Sequence, residues 1–228
     1  MIECVEGIVI KEKVYSETSK IIDVITPKYG KISILAKGAR RIKSPFRSST
    51  TKLTYGKFNI RYKKDKLSIL TDSEIVNFYK NIKTDLTKIT YASYILDLVN
   101  QVLEEENYKE IFTNLIYSLE KIENNINPLA ITNVLELKCL NYLGVMPVLD
   151  SCSVCGSKSV ITISPRTGGF ICGDCYKNEK IVDKKVLKLI KIYSEIDIKK
   201  IDKIDVDKNI IIENFDIEKY IYGLFKDL

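Results

Sequence analysis

The segment Lys31-Ile32-Ser33-Ile34-Leu35-Ala36-Lys37-Gly38-Ala39-Arg40-Arg41-Ile42-Lys43-Ser44-Pro45-Phe46-Arg47 changes character at Lys37. Before that point apolar and polar side chains begin by alternating, the period-two signature of a strand with one face buried. Beyond it the alternation stops, Gly38 permits a sharp exit, and Arg40, Arg41, Lys43 and Arg47 crowd a connecting loop. A strand end gives such a loop a fixed platform. Arginine's planar fork of donors suits phosphate oxygens, and Ser44 adds a neutral donor. Lys37, Arg40, Arg41, Lys43, Ser44 and Arg47 are therefore the candidate nucleic-acid contacts.

Working outward, residues 5–14, 20–26, 31–37, 57–63 and 67–76 are rich in Ile, Val and Tyr with partial alternation, clearest in Phe58-Asn59-Ile60-Arg61-Tyr62. Pro27, Gly30 and Gly56 punctuate them. Five short strands in this space suit a small closed barrel. The OB-fold is the first candidate, and an SH3-like barrel shares its strand statistics. Residues 1–78 form this expected domain. Tyr55, Phe58 and Tyr62 either face single-stranded bases or fill the barrel. No base-reading helix is apparent, so contact without sequence preference is expected.

The charge distribution supports the loop. The chain carries +6 overall, yet residues 1–80 hold 17 Lys/Arg against 8 Asp/Glu, and residues 81–228 hold 19 against 22. Between Lys28 and Lys66 there are 13 basic residues and one acid, Asp65. Such local asymmetry marks a surface that meets phosphate; the alternative is a solvated lysine-rich face.

After Asn77 the spacing turns helical. Ile82, Leu86, Ile89, Leu96, Val99 and Leu103 form one stripe, and Tyr108, Ile111, Phe112, Leu115, Leu119 and Ile122 a second. Asn127-Pro128 supplies a cap and first-turn proline for a third helix ending near Leu143-Gly144. These stripes read as core-facing surfaces of a helical domain, 79–150 and 177–228. A last helix is expected around Ile217, Tyr220, Ile221, Leu224 and Phe225, while 196–212 shows no clear period.

Residues 151–176 interrupt that domain. Cys152-x2-Cys155 and Cys172-x2-Cys175 stand 16 residues apart, a spacing typical of structural zinc ribbons. Two residues between thiolates let one tight turn aim both sulfurs at a single ion, and two such turns complete a tetrahedron. An all-sulfur site leaves no position for water, so one structural Zn²⁺ is expected; iron suits the same ligands. Four thiolates with Zn²⁺ add −2, so the module braces the helical region rather than clamping DNA. Cys4 and Cys139 stand alone and read as small apolar core residues.

The chain has no histidine, which excludes Ser-His-Asp and Cys-His nucleophilic systems and histidine-ligated zinc hydrolases within it. Neither a phosphate-binding G-x-x-x-x-G-K-[ST] nor a G-x-G-x-x-G string occurs. The acids lack a paired constellation for two-metal chemistry, so a non-enzymatic role is expected. No apolar run reaches the roughly 18 residues of a membrane span, and Met1-Ile2-Glu3-Cys4 lacks the marks of a leader. A cytoplasmic protein is expected.

The order of basic loop, helical region and four-cysteine pair resembles the RecO family of bacterial recombination-repair mediators. One segment carrying the likeness comprises Gly7, Tyr15-Ser16-Glu17, Thr26, Gly30, Lys37-Gly38-Ala39-Arg40-Arg41 and Ser44. The other comprises Leu135-Glu136, Leu143-Gly144, Pro147, Cys152-x2-Cys155-Gly156, Gly168-Gly169 and Cys172-x2-Cys175. The resemblance implies an α+β multidomain chain: a five-stranded OB-fold β-barrel, then a helical domain with an inserted four-cysteine zinc-ribbon-like module. It also implies binding of single- and double-stranded DNA, annealing of complementary strands, and loading of recombinase onto strands coated by single-strand-binding protein. RecR and the acidic tail of single-strand-binding protein are the implied partners. Lys37, Arg40, Arg41 and Lys43 match the family's basic stretch, and the four cysteines its metal ligands. Two departures stand out: Ser19 where an acid is common, and a polar run at 48–54. An RNA-binding accessory factor and a protein-interaction scaffold are the competing readings.

Overall fold

A computed structural model describes residues 2–103 and 107–201. The chain divides into two compact units, Met1–Asn124 and Asn125–Leu228.

In the first unit, β1 (Ile2–Val14), β2 (Lys20–Thr26), β3 (Gly30–Ala36), β4 (Tyr55–Arg61) and β5 (Ser68–Asn77) close a barrel in the order β1-β2-β3-β5-β4. Closure depends on the length of β1. Its Ile2–Ile8 half pairs with β4 and its Ile8–Val14 half with β2, with a register shift between Val9 and Lys11. An irregularity of that kind bends a strand so that it serves both edges of one sheet. The other junction is a short parallel pairing of β3 with β5, at Ile34↔Ser68 and Leu35↔Ile69. That parallel step is the OB-fold connectivity and decides against an SH3-like barrel. Alternate residues point inward: Val5, Val9, Ile22, Val24, Ile32, Ile34, Phe58, Ile60 and Leu70 fill the barrel.

Among the described residues, three α-helices follow the barrel in this unit: α1 (Lys80–Thr84), α2 (Leu86–Val102) and α3 (Tyr108–Glu123). The first helical stripe is broken where the spacing suggests continuity. Asp85 is extended and its carboxylate accepts from the Lys88 N–H, capping α2. Leu86 consequently sits in the first turn at 83% exposure instead of in the core. The N-terminus of α1 has no cap of its own, and Glu123 supplies one by accepting from the N–H groups of Asn81 and Ile82. The Tyr108 ring lies over Gly30, where a side chain would collide with it.

The second unit holds α4 (Pro128–Tyr142), a hairpin of β6 (Val160–Ser164) and β7 (Gly169–Cys172), and α5 (Lys184–Glu195). Asn127 caps α4 by accepting from the Ala130 N–H, as its position before Pro128 predicts. Residues 130–137 are buried without interruption, so that stretch of α4 is enclosed on all sides rather than amphipathic. A 3₁₀ turn at Ile198–Lys200 follows α5. The helix expected around 217–225 lies outside the described residues.

Candidate nucleic-acid interface and metal centre

The basic loop is a sequence of tight turns between β3 and β4, tied to the barrel at several points. Gly38 turns the chain at φ +71°, a conformation other residues rarely adopt. Its N–H donates to Ser19 Oγ at 3.2 Å. Ser19 therefore braces the loop through its hydroxyl. Ala39 is buried and Phe46 packs against the barrel core, so the loop is anchored from beneath. The polar run after Arg47 has a local purpose as well. Thr50 Oγ1 donates to the Phe46 carbonyl, Ser49 Oγ meets Ser73 Oγ at 2.8 Å, and Thr51 Oγ1 meets Thr54 Oγ1 at 2.9 Å. Ser49 Oγ also donates to the Phe46 carbonyl at 3.3 Å and Thr51 Oγ1 to the Ser48 carbonyl at 2.9 Å, so these hydroxyls satisfy a backbone that has no strand partner there.

The candidate contacts differ in what they do within the fold. Lys37, Arg41, Lys43 and Arg47 are exposed, and none of their side chains has a partner among the described residues. Arg40 Nη1 donates to the carbonyls of Ser16 and Glu17, each at 2.8 Å, and its backbone N–H donates to Thr18 O at 2.9 Å. Arg40 thus staples the loop to the β1–β2 turn while remaining exposed, and its other guanidinium donors have no partner among the described residues. Ser44 Oγ accepts from the Phe46 N–H at 3.2 Å and shapes a turn, keeping its own proton to donate.

Between the loop and the β1–β2 hairpin lies a concavity of about 500 Å³, lined by Glu12, Lys13, Val14, Lys20, Ala39, Arg40, Arg47 and Thr51. Lys13 and Lys20 were not singled out from sequence because they sit in strand segments remote from the loop along the chain. Only the register that puts Lys13 opposite Ile21 and Lys20 opposite Val14 brings them to the rim. Glu12 partly neutralises this edge through an ion pair with Lys20 at 2.8 Å.

The three aromatic candidates separate cleanly. Phe58 is fully buried in the barrel. Tyr55 is half-buried, donates to Glu6 and meets Phe112 edge-on at 6.2 Å; burial and then the Glu6 carboxylate hold its hydroxyl above the usual range. Tyr62 stacks on Tyr29 with ring centroids 4.1 Å apart.

In the second unit, Cys152 and Cys155 occupy the turn before β6, while Cys172 ends β7 and Cys175 follows it. The first knuckle closes through Gly156 N–H to Cys152 O at 2.9 Å, and Cys152 N–H to Ser157 O at 2.8 Å. Gly169 bridges Val148, and a Cβ there would lie 2.4 Å from the Val148 carbonyl oxygen, so glycine is required. The four sulfurs all lie within 4.8 Å of one another, and those of Cys155 and Cys172 are 3.5 Å apart. A tetrahedral site with bonds of about 2.3 Å has edges of about 3.8 Å, so one metal ion fits among them.

Electrostatics point the same way. Burial pushes the Cys152 thiol up, but N–H groups of Cys155, Cys172 and Val154 outweigh it and bring the group down to about 6. Cys175, facing the Cys155 sulfur and partly buried, is pushed up to about 12. One thiolate forms readily and opposes the next, the arrangement that a bound dication relieves. None of the six cysteines is disulfide-bonded. Cys139 is buried as expected; Cys4 is exposed on β1 and is not a core residue. Among the described residues no other cluster of three or more metal-ligating side chains forms, and no helix is long and apolar enough to cross a membrane.

Comparison with known proteins gives two family matches: Recombination protein O N terminal over residues 1–79, and Recombination protein O C terminal over 83–223. The chain is similar to the DNA repair protein RecO of Caldanaerobacter subterraneus subsp. tengcongensis, 35% identical over 88% of this chain and 83% of that protein. It is 34% identical to the RecO of Thermoanaerobacter sp. (strain X514) over 97% of this chain and 90% of that protein. The RecO of Halalkalibacterium halodurans is 32% identical over 88% of this chain and 81% of its own length.

Proposed function

The chain belongs to the RecO family, and from that premise we propose that it is a non-enzymatic DNA-binding recombination mediator. It binds single and double strands, anneals complementary strands, and helps load recombinase onto DNA coated by single-strand-binding protein. The observation that carries this reading is the braced basic loop. Lys37, Arg41, Lys43 and Arg47 present cations to solvent while Arg40, Ser19 and Phe46 hold the backbone beneath them. Contacts of this kind position phosphates and read no sequence. Neutralised phosphates on two strands repel each other less, which is the physical requirement for annealing.

Ser44 and the remaining donors of Arg40 complete the phosphate-contacting set. Cys152, Cys155, Cys172 and Cys175 would hold one structural Zn²⁺, whose chemistry is to fix two turns rather than to activate water. Residues 1–78, the helical 79–150 with 177–228, and the metal module 151–176 act as the working modules. RecR and the acidic tail of single-strand-binding protein are the protein partners, in the cytoplasm at the nucleoid.

The test is annealing of complementary oligonucleotides coated with the cognate single-strand-binding protein. Acceleration by this chain supports the mediator reading, since it demands DNA contact and tolerance of the coat together. Binding of bare DNA without acceleration refutes the mediator role. RNA outcompeting DNA moves the function to RNA.

A further inference from the structure

The end of the barrel away from the basic loop carries a second set of groups that the loop does not use. Tyr29 lies in the turn between β2 and β3, and Tyr62 follows β4; neither neighbours the other in sequence. Their rings stack at 4.1 Å with an 18° interplanar angle. The Tyr29 hydroxyl donates to the Glu3 carboxylate, which also pairs with Lys28 at 3.1 Å, while the Lys28 ammonium lies 4.6 Å from the Tyr29 ring centroid. Those contacts hold the ring pair in one orientation. The pair forms a wall of a concavity of about 330 Å³, whose other lining includes Lys31, Lys63 and Lys66 against a single acid, Asp65.

We propose that this Tyr29–Tyr62 concavity is a base-stacking subsite for single-stranded DNA, separate from the phosphate-contacting loop. The proposal rests on the reading that the barrel binds DNA, and it names what that reading leaves open: how single strands are told from duplex. The volume lies at the lower end of the roughly 300–1,000 Å³ that small-ligand sites occupy, which suits one unstacked nucleotide. Aromatic walls gain from any base, because every base has a π-face, and nearby ammonium groups neutralise the flanking phosphates. Duplex bases are stacked on each other and cannot enter. The segment after β4 belongs to the β4–β5 connection, a region through which barrels of this class bind oligonucleotides.

The distance between the two sites is consistent with one strand touching both. β3 has seven residues and connects the Tyr29 turn to Lys37; at about 3.3 Å per residue it spans roughly 20 Å. That is about six nucleotides at the 3.4 Å spacing of a B-form strand, inside the ~4–16 nucleotides that one barrel of this class covers.

The chain contains no tryptophan, so Tyr62→Trp introduces a single reporter while keeping an aromatic ring over the core. An oligo-dT should quench its fluorescence, and a duplex of equal length should not. Tyr62→Ala should weaken oligo-dT binding by about 5- to 150-fold, the range for losing one stacked base, with duplex affinity changed less than about twofold. Retained oligo-dT affinity in Tyr62→Phe supports stacking over hydroxyl chemistry. Arg41→Ala with Lys43→Ala reports separately on the loop and should weaken single strands and duplex alike. If Tyr62→Trp shows no quench while the loop variant lowers both affinities, the subsite is overturned and the DNA-binding reading stands. If the wild-type chain binds neither DNA, both fall. Quenching by an acidic peptide and not by oligo-dT also overturns it.

Discussion

Salt dependence of DNA binding separates the two kinds of arginine in the basic loop. Arg41 and Lys43 are exposed and without partners among the described residues, whereas Arg40 is bonded to the Ser16 and Glu17 carbonyls. Each phosphate neutralised on a single strand contributes about 0.7 to the slope of log K against log salt. Arg41→Ala with Lys43→Ala removes two such contacts, so the slope should fall by about 1.4. Over a fourfold rise in salt the wild-type chain should lose about sevenfold more affinity than the variant. Fluorescence anisotropy with a labelled oligo-dT across a salt series measures this directly, and the melting temperature should not move. Arg40→Ala should behave differently. Charge-assisted hydrogen bonds contribute about 1.5–3 kcal/mol when shielded, but water competes at this exposed site, so a loss of about 1 kcal/mol in stability is expected. Its slope change should be no more than that of one contact. An unchanged slope in the Arg41/Lys43 variant, with wild-type binding intact, would place the phosphate surface elsewhere and refute the assignment.

Metal removal should disorder residues 151–176 and loosen the helices around them while the barrel stays folded, because ligand binding and local folding are coupled. Backbone NMR before and after chelation reads this, and a single cooperative loss of the whole chain would refute the modular division. Gly169→Ala should destabilise the second unit by about 1–3 kcal/mol through overpacking, since the new Cβ meets the Val148 carbonyl oxygen at 2.4 Å; thermal melts with metal present provide the measurement. Lys83 is half-buried, lies over the Phe78 ring at 3.4 Å and donates to Thr54 Oγ1. Burial lowers its ammonium from 10.5 to about 8. The unfolded chain then holds more protons than the folded one between those values, so stability should rise as pH climbs from about 8 to 10.5. Lys83→Met should raise stability at pH 7 by about 1 kcal/mol after allowance for partial exposure, and flatten that rise in pH-dependent denaturation.

What the sequence determined by itself are the features whose physics is local. Alternation in Phe58-Asn59-Ile60-Arg61 assigns faces because neighbouring side chains of a strand point oppositely. Asn127-Pro128 starts a helix because a side-chain acceptor and a fixed φ act within one turn. Two Cys-x2-Cys pairs announce a metal site because each turn aims its own sulfurs. Tertiary structure decided everything that depends on register across long separations. Period-two patterning is the same in an OB-fold and an SH3-like barrel, and only the parallel β3–β5 pairing distinguishes them. Leu86 fits a helical stripe by spacing, yet the Asp85 cap breaks the helix and turns it to solvent. Arg40 and Arg41 are adjacent and chemically identical, but only Arg40 reaches the Ser16 and Glu17 carbonyls. Tyr29 meets Tyr62 across 33 positions of sequence because the barrel closes, and no pattern within either neighbourhood carries that information.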